Sequence, residues 1–192
     1  NTMDEDGQQY GAATRVVIKA QYSPAGYTLG NDWFAFGSDA YETLAILQTA
    51  YTTAKNDGSN AALITACDNF LAAAKLANTL ITTSDFVALQ QTELDAITNG
   101  SEISKIPNCI RWYQDGENYY YYEIRHDNTN DTQMGYGEYG VVRNNSYALR
   151  LTKVNGKGTP WYPGGGPGEP EPEDPIDEGT AYLSFDIEVG PW

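Results

Sequence analysis

The last dozen residues, Ala181 to Trp192, alternate without a break: Leu183, Phe185, Ile187 and Val189 fall on one side, Ser184, Asp186 and Glu188 on the other. Such alternation is the mark of a half-buried strand, because successive side chains of an extended chain point to opposite faces. What precedes it constrains the fold as much. Residues 160–179 hold six prolines, the run Gly164 to Gly166, and acids from Glu169 to Glu178. Proline blocks a ladder, glycine resists ordering and clustered acids repel one another, so the stretch reads as an extended linker. In a polyproline-like state its seventeen residues from Pro163 to Gly179 reach roughly 50 Å. A strand with one apolar side on such a tether can fold back as the last strand of its own sheet or complete the sheet of another molecule. The tether is longer than a hairpin requires, which tilts the choice toward exchange.

The rest of the composition removes whole classes. A chain of 192 residues is long enough to hide roughly 70% of its unfolded surface. Lysine and arginine total 11 against 26 acids, a net charge of -15, so phosphate backbones and anionic membranes repel it. One histidine and two cysteines are too few for a Cys/His zinc centre or a disulfide-dense scaffold. No apolar run approaches the ~20 residues that span a bilayer. The 15 tyrosines and 19 glycines suit strands and turns with a wet outer face, as in many secreted β-proteins. The start at Asn1 and Thr2, without a charged end and an apolar stretch, is expected of a processed or truncated piece, and says nothing about export.

Along the chain, Val16, Ile18, Ala20 and Tyr22 alternate with Val17, Lys19 and Gln21, and Trp33, Phe34 and Phe36 suggest a short second strand. From Asp39 the period changes. Tyr41, Leu44, Leu47, Tyr51 and Ala54 predict one helix; Leu63, Cys67, Phe70, Leu71 and Ala74 a second, capped near Ser59; Phe86, Leu89, Leu94 and Ile97 a third. Residues 39–98 therefore read as a helical insertion. Strand signals return at Cys109 to Tyr113, Tyr119 to His126, Tyr139 to Asn144 and Tyr147 to Val154. The fold class is α+β, mainly β: a β-sandwich carrying helices on one edge or face. The expected division is a domain over 1–160, the linker over 161–179 and the terminal strand over 180–192.

Motifs that imitate chemistry fail on context. Gly135, Gly137 and Gly140 fit G-x-G-x-x-G, and Val142 extends it to the kinase form, but Val141 to Arg143 reads as a strand where a dinucleotide loop must open a helix. His126 is the one imidazole; without a G-x-S-x-G serine it reads as a sheet-end histidine paired with a neighbouring carboxylate rather than a catalytic base. Asp127, Thr129, Asp131 and Glu138 have calcium-loop spacing, yet Thr132 stands where glycine is wanted, so the default is a solvated turn. The acids from Glu169 to Glu178 read as a solvated tether. A bond between Cys67 and Cys109 would close a loop of about forty residues and contribute roughly 4 kcal/mol if oxidised; the sequence leaves it open. No catalytic, cofactor-binding or metal residue is assigned.

Taken together, Thr14 to Pro24, the strand Tyr119 to His126, the stretch Tyr139 to Tyr147 with its Y-G-V-V-R-N-N-x-Y pattern, and Asn155 to Pro160 resemble the fimbrillins of the Bacteroidales type V pili. The similarity is nearest to the C-terminal half of the shaft subunit of the short, or minor, fimbriae. It implies transthyretin-like antiparallel β-sandwich domains, no enzymatic activity and no cofactor. It also implies export as a lipoprotein precursor through the outer membrane to the cell surface, and neighbouring fimbrial subunits as partners, with a host or bacterial surface receptor beyond them. In that family an N-terminal segment is removed and the C-terminal strand of one subunit enters the vacated groove of the next. Leu183, Phe185, Ile187 and Val189 would then be the polymerisation strand. The N-terminal domain, lipobox cysteine and processing arginine of that pattern are missing here, so the receiving groove is expected outside these residues.

Burying those four side chains would contribute roughly 6–12 kcal/mol as an upper bound. The acidic tether is expected to keep the strand off its own sheet edge until a partner arrives. Two rivals stand beside the structural subunit. One is a tip or accessory adhesin whose Trp112, Tyr113, Trp161 and Tyr162 stack on glycans, against the reading of these aromatics as core. The other is a secreted hydrolase using unrecognised carboxylates.

Overall fold

The computed structural model describes residues 13–126, 137–154, 156–162 and 183–191. Its α+β order is β1 (Arg15–Gln21), β2 (Trp33–Phe36), β3 (Asp39–Tyr41), α1 (Leu44–Asp57), α2 (Ala61–Ala77), α3 (Gln91–Asp95), α4 (Ser101–Ser104), β4 (Arg111–Tyr113), β5 (Glu117–Glu123), β6 (Asn145–Val154) and β7 (Leu183–Pro191). The strands form three small antiparallel sheets, β1-β5, β3-β2-β4 and β6-β7.

The two long helices follow the apolar spacing, except that Asp39 to Tyr41, expected to open the helical block, form β3. Thr43 caps α1 by accepting the Ile46 N–H, and Gly58, at φ +69°, ends it in a left-handed conformation that favours glycine. Leu44, Leu47, Tyr51 and Ala54 face the core. The cap of α2 is Asn60, not Ser59: the Asn60 side chain accepts the Leu63 N–H, while the Ser59 N–H is taken by Asp57. The third expected helix is broken. A 3-10 turn covers Phe86–Ala88, Leu89 and Gln90 are extended, and α3 is short. The cause is a distant side chain: Gln48 Nε2 donates to the Phe86 and Leu89 carbonyls at 3.0 and 2.8 Å, offering the backbone an alternative to the helical ladder. Phe86, Leu89, Leu94 and Ile97 are buried all the same.

The β3-β2-β4 sheet is the middle layer. Its register sets Phe34 opposite Trp112 and Trp33 opposite Tyr113. Alternation then sends Phe34 and Trp112 to the helices, where Phe70 meets both rings edge-on. Trp33 and Tyr113 stack on the opposite face at 3.8 Å, and the Trp33 indole donates to the Tyr22 carbonyl beyond β1.

Another expected strand, Tyr139 to Asn144, does not form. Tyr139 makes one isolated bridge with Arg125, and the chain then turns. Gly140 and Asn144 have φ of +107° and +65°, outside strand geometry, and the Val142 N–H donates to the Tyr147 hydroxyl instead of a ladder partner.

Candidate functional site

After β6 the chain returns to the body in a segment clamped at the edge of β5. Thr159 bridges Tyr119 through two backbone hydrogen bonds of 2.8 and 2.9 Å. The Gly158 N–H donates to buried Asn118, and the Gly158 carbonyl accepts the Tyr113 hydroxyl. Trp161 is buried under the Arg111 guanidinium, 4.8 Å from its ring centre. Tyr162, the last described residue of the segment, is 63% exposed and touches the Tyr119 ring edge-on.

The terminal strand meets the chain again at β6. The register opposes Tyr147 to Val189, Leu149 to Ile187, Leu151 to Phe185 and Val154 to Leu183. These apolar pairs form one row of the ladder, and Ser146↔Gly190, Ala148↔Glu188, Arg150↔Asp186 and Lys153↔Ser184 form the polar row. Between Leu151 and Lys153 the register shifts by one at Thr152, a β-bulge. Without that extra residue Val154, whose parity differs from Leu151, would oppose the wrong row. The parity change from Leu151 to Val154 is the sequence signal that would have located the bulge. Ser146 Oγ donates to the Gly190 carbonyl and Thr152 Oγ1 to that of Ser184, reinforcing the ladder at both ends.

The expectation that the tether holds the strand off its own sheet is not met: β7 pairs in cis. β7 also lies against β5, yet the described side chains of the ribbon face solvent at least in part. No residue of β6 and no described side chain of β7 is buried, and Leu151 and Val154 are 44% and 47% exposed. The ribbon is joined to the body at its base, where the Tyr147 hydroxyl lies 2.8 Å from His126 Nδ1. The same hydroxyl oxygen accepts the Val142 N–H, so Tyr147 ties the imidazole and the loop backbone together. His126 thus pairs with a tyrosine; the neighbouring carboxylate Asp127 lies outside the described residues.

The other candidates disperse. Trp112, Tyr113 and Trp161 are 0%, 2% and 3% exposed and cannot stack on a glycan; of the four aromatics only Tyr162 is open. Glu138 is fully buried against the Arg125 guanidinium, so it is no calcium ligand, and Asp127, Thr129, Asp131 and Thr132 lie outside the described residues, as does the acidic linker. Gly137 and Gly140 precede a turn and not a helix. Cys67 and Cys109 are free thiols in one core cluster, and burial pushes Cys109 up to about 12 and Cys67 higher still.

A cleft of about 590 Å³ lies beside α1, with Asp32, Glu42, Gln48 and Asp95 in its wall. One of its carboxylates, Asp32, is a scaffold group. It accepts the Asp115 N–H at 2.8 Å and the Trp112 indole at 2.9 Å, and burial raises its pKa. Among the described residues, no group of three or more His, Cys, Asp or Glu side chains is placed to hold a metal ion. No helix among them is long and apolar enough to cross a membrane.

No curated protein matches the chain at a significant level. Residues 111–192 match the family model for the C-terminal part of fimbrillin, the major fimbrial subunit protein type IV. The match begins at the first residue of β4 and includes the clamped segment, the ribbon and the terminal strand; the helical block lies outside it. That family suggests a structural fimbrial subunit at the cell surface, in contact with other pilus subunits.

Proposed function

We propose that this chain is the C-terminal part of a shaft subunit of a type V pilus of the Bacteroidales, near the short-fimbrium kind, with β7 joining subunits by strand exchange. The observation that carries the reading is the ribbon. Within the segment that matches fimbrillin, the last strand pairs along its length yet no described side chain of it is buried. A strand hydrogen-bonded to a single neighbour in a two-stranded ladder is marginal in water and is open to replacement. On this reading the complete subunit has transthyretin-like sandwich domains, is exported as a lipoprotein precursor and supports adhesion as a polymer rather than as an enzyme. Its domains would be 1–160, 161–179 and 180–192.

The test uses the complete, processed subunit. Deleting residues 180–192, or introducing Phe185→Asp, should abolish multimers in sizing and electron microscopy while the monomer keeps its circular dichroism and melting point. Multimers of normal length from both variants would refute the reading. The adhesin alternative loses three of its four aromatics to the core.

A further inference from the structure

The two cysteines of the chain share one interior. Cys67 lies within α2 and Cys109 just before β4, and both belong to the core cluster that holds Phe34, Phe70 and Trp112. They are 0% and 3% exposed, so the folded chain offers neither to another protein nor to a metal, and the one other thiol in that interior is its counterpart. The backbones that carry them are tied beside the pair, where Asn69 Nδ2 donates to the Asn108 carbonyl at 2.9 Å. Each sulfur is also within electrical reach of the other: after burial and the Asp68 carboxylate, Cys109 is the third cause that raises the Cys67 thiol.

We propose that Cys67 and Cys109 form a disulfide as the chain folds in oxidising surroundings, and that the finished core closes the pair to further exchange. The thiols of the structure are the reduced state of this pair. The inference does not depend on the fimbrial reading, since both cysteines precede residues 111–192, the segment that matches fimbrillin. The bond staples α2 to the entry of β4, and so joins the helical block to the matched segment, with α3 and α4 inside the closed loop.

The step needs a two-electron oxidant, which a small disulfide such as oxidised glutathione supplies. The thiolate of one cysteine attacks that disulfide, expels one thiol and leaves a mixed disulfide. The thiolate of the other cysteine then attacks the protein sulfur of the mixed disulfide and expels the second thiol. The protein sulfurs give up two electrons and two protons, and the oxidant leaves as two thiols. Both attacks require a thiolate. At pH 8 an unfolded cysteine is about one quarter thiolate, whereas in the fold Cys109, pushed up to about 12, is so to about one part in ten thousand. Burial also keeps oxidant and reductant away from both sulfurs. Oxidation is therefore an event of folding, and the core afterwards keeps whichever state it received.

The experiment refolds the full chain from its unfolded, reduced state at pH 8, in one arm with a mixture of reduced and oxidised glutathione and in the other with dithiothreitol alone. The oxidative arm should give a monomer about 2 Da lighter than the reduced chain, with two peptides joined through residues 67 and 109, and with the same tryptophan fluorescence as the reduced fold. It should melt roughly 10 °C higher, as expected for a closed loop of about forty residues. The reduced arm, once folded, should keep both thiols when oxidised glutathione is added, reacting at least about a thousandfold more slowly than the unfolded chain.

Two free thiols in a natively fluorescent chain after oxidative refolding overturn the proposal. So does a 67–109 bond found only in chains that have lost that fluorescence, because the native core then does not accept it. Oxidation of the folded, reduced chain at the rate of the unfolded one overturns the closure of the pair.

Discussion

Gly158 lies so close to Tyr119 that a β-carbon on it would meet the Tyr119 carbonyl oxygen at 2.3 Å. The contact is backbone against backbone, so no side chain can swing away to make room.

Gly158→Ala is therefore expected to push the clamped segment off β5, breaking the Thr159–Tyr119 bridge and the bond to Asn118. A loss of about 2–3 kcal/mol is expected, read from the urea midpoint, with Trp161 fluorescence shifting toward that of exposed indole. An unchanged midpoint would show that the segment tolerates displacement from β5.

Asp32 joins three segments through one carboxylate: the indole of Trp112, the amide of Asp115 and the side chain of Gln91. Asp32→Ala leaves the buried indole N–H without its acceptor. Hydrogen bonds to a charged group contribute roughly 1.5–3 kcal/mol, so the expected loss is about 2 kcal/mol by chemical denaturation. A loss below about 0.5 kcal/mol would show the carboxylate to be a bystander.

The thiols give a pH dependence whose sign is fixed. Burial raises both Cys67 and Cys109 above the unfolded value of about 8.5, so the fold favours their neutral form. Their contribution is complete below that value and is lost as pH rises toward the folded value, about 12 for Cys109. The urea midpoint should be flat from pH 6 to 8 and fall between about pH 8.5 and 10, by up to about 1.4 kcal/mol per pH unit for each thiol. The double variant Cys67→Ala, Cys109→Ala starts less stable but should lose little over that window. An equal slope in both proteins would place the alkaline sensitivity elsewhere.

What could be read from the sequence was whatever depended on neighbours in the chain. The apolar spacing of Tyr41 to Ala54 and of Leu63 to Ala74 located α1 and α2, though Tyr41 itself pairs in β3, since a helix is set by residues three and four apart. The alternation from Leu183 to Val189 located β7. Features set by distant partners were hidden. Gln48 breaks the third helix from another element, and Tyr147 takes the amide that a strand at Val142 would have used. Trp112 and Tyr113 looked available until the register set them opposite Phe34 and Trp33. For the candidate site, both strands of the ribbon were legible but their pairing was not, because alternation states which face a residue takes and never which strand stands beside it.

The bulge at Thr152 yields the last prediction. It places two residues of β6 against one of β7 and keeps Val154 and Leu183 in the apolar row. Deleting Thr152 removes the surplus residue while every other opposed pair can persist, now in an unbroken ladder. The deletion loses the Thr152 hydroxyl bond to the Ser184 carbonyl, but the backbone of Lys153 and Val154 can then pair in regular geometry. The net change should be small and stabilising, about 0.5–1 kcal/mol, near the worth of one ladder hydrogen bond. Amide hydrogen exchange should report it as protection rising several-fold at Lys153 and Val154 and little changed at Tyr147 and Leu149. If protection instead collapses along the whole of β6, the bulge does more than keep parity: the extra twist it imparts would be what holds the ribbon together.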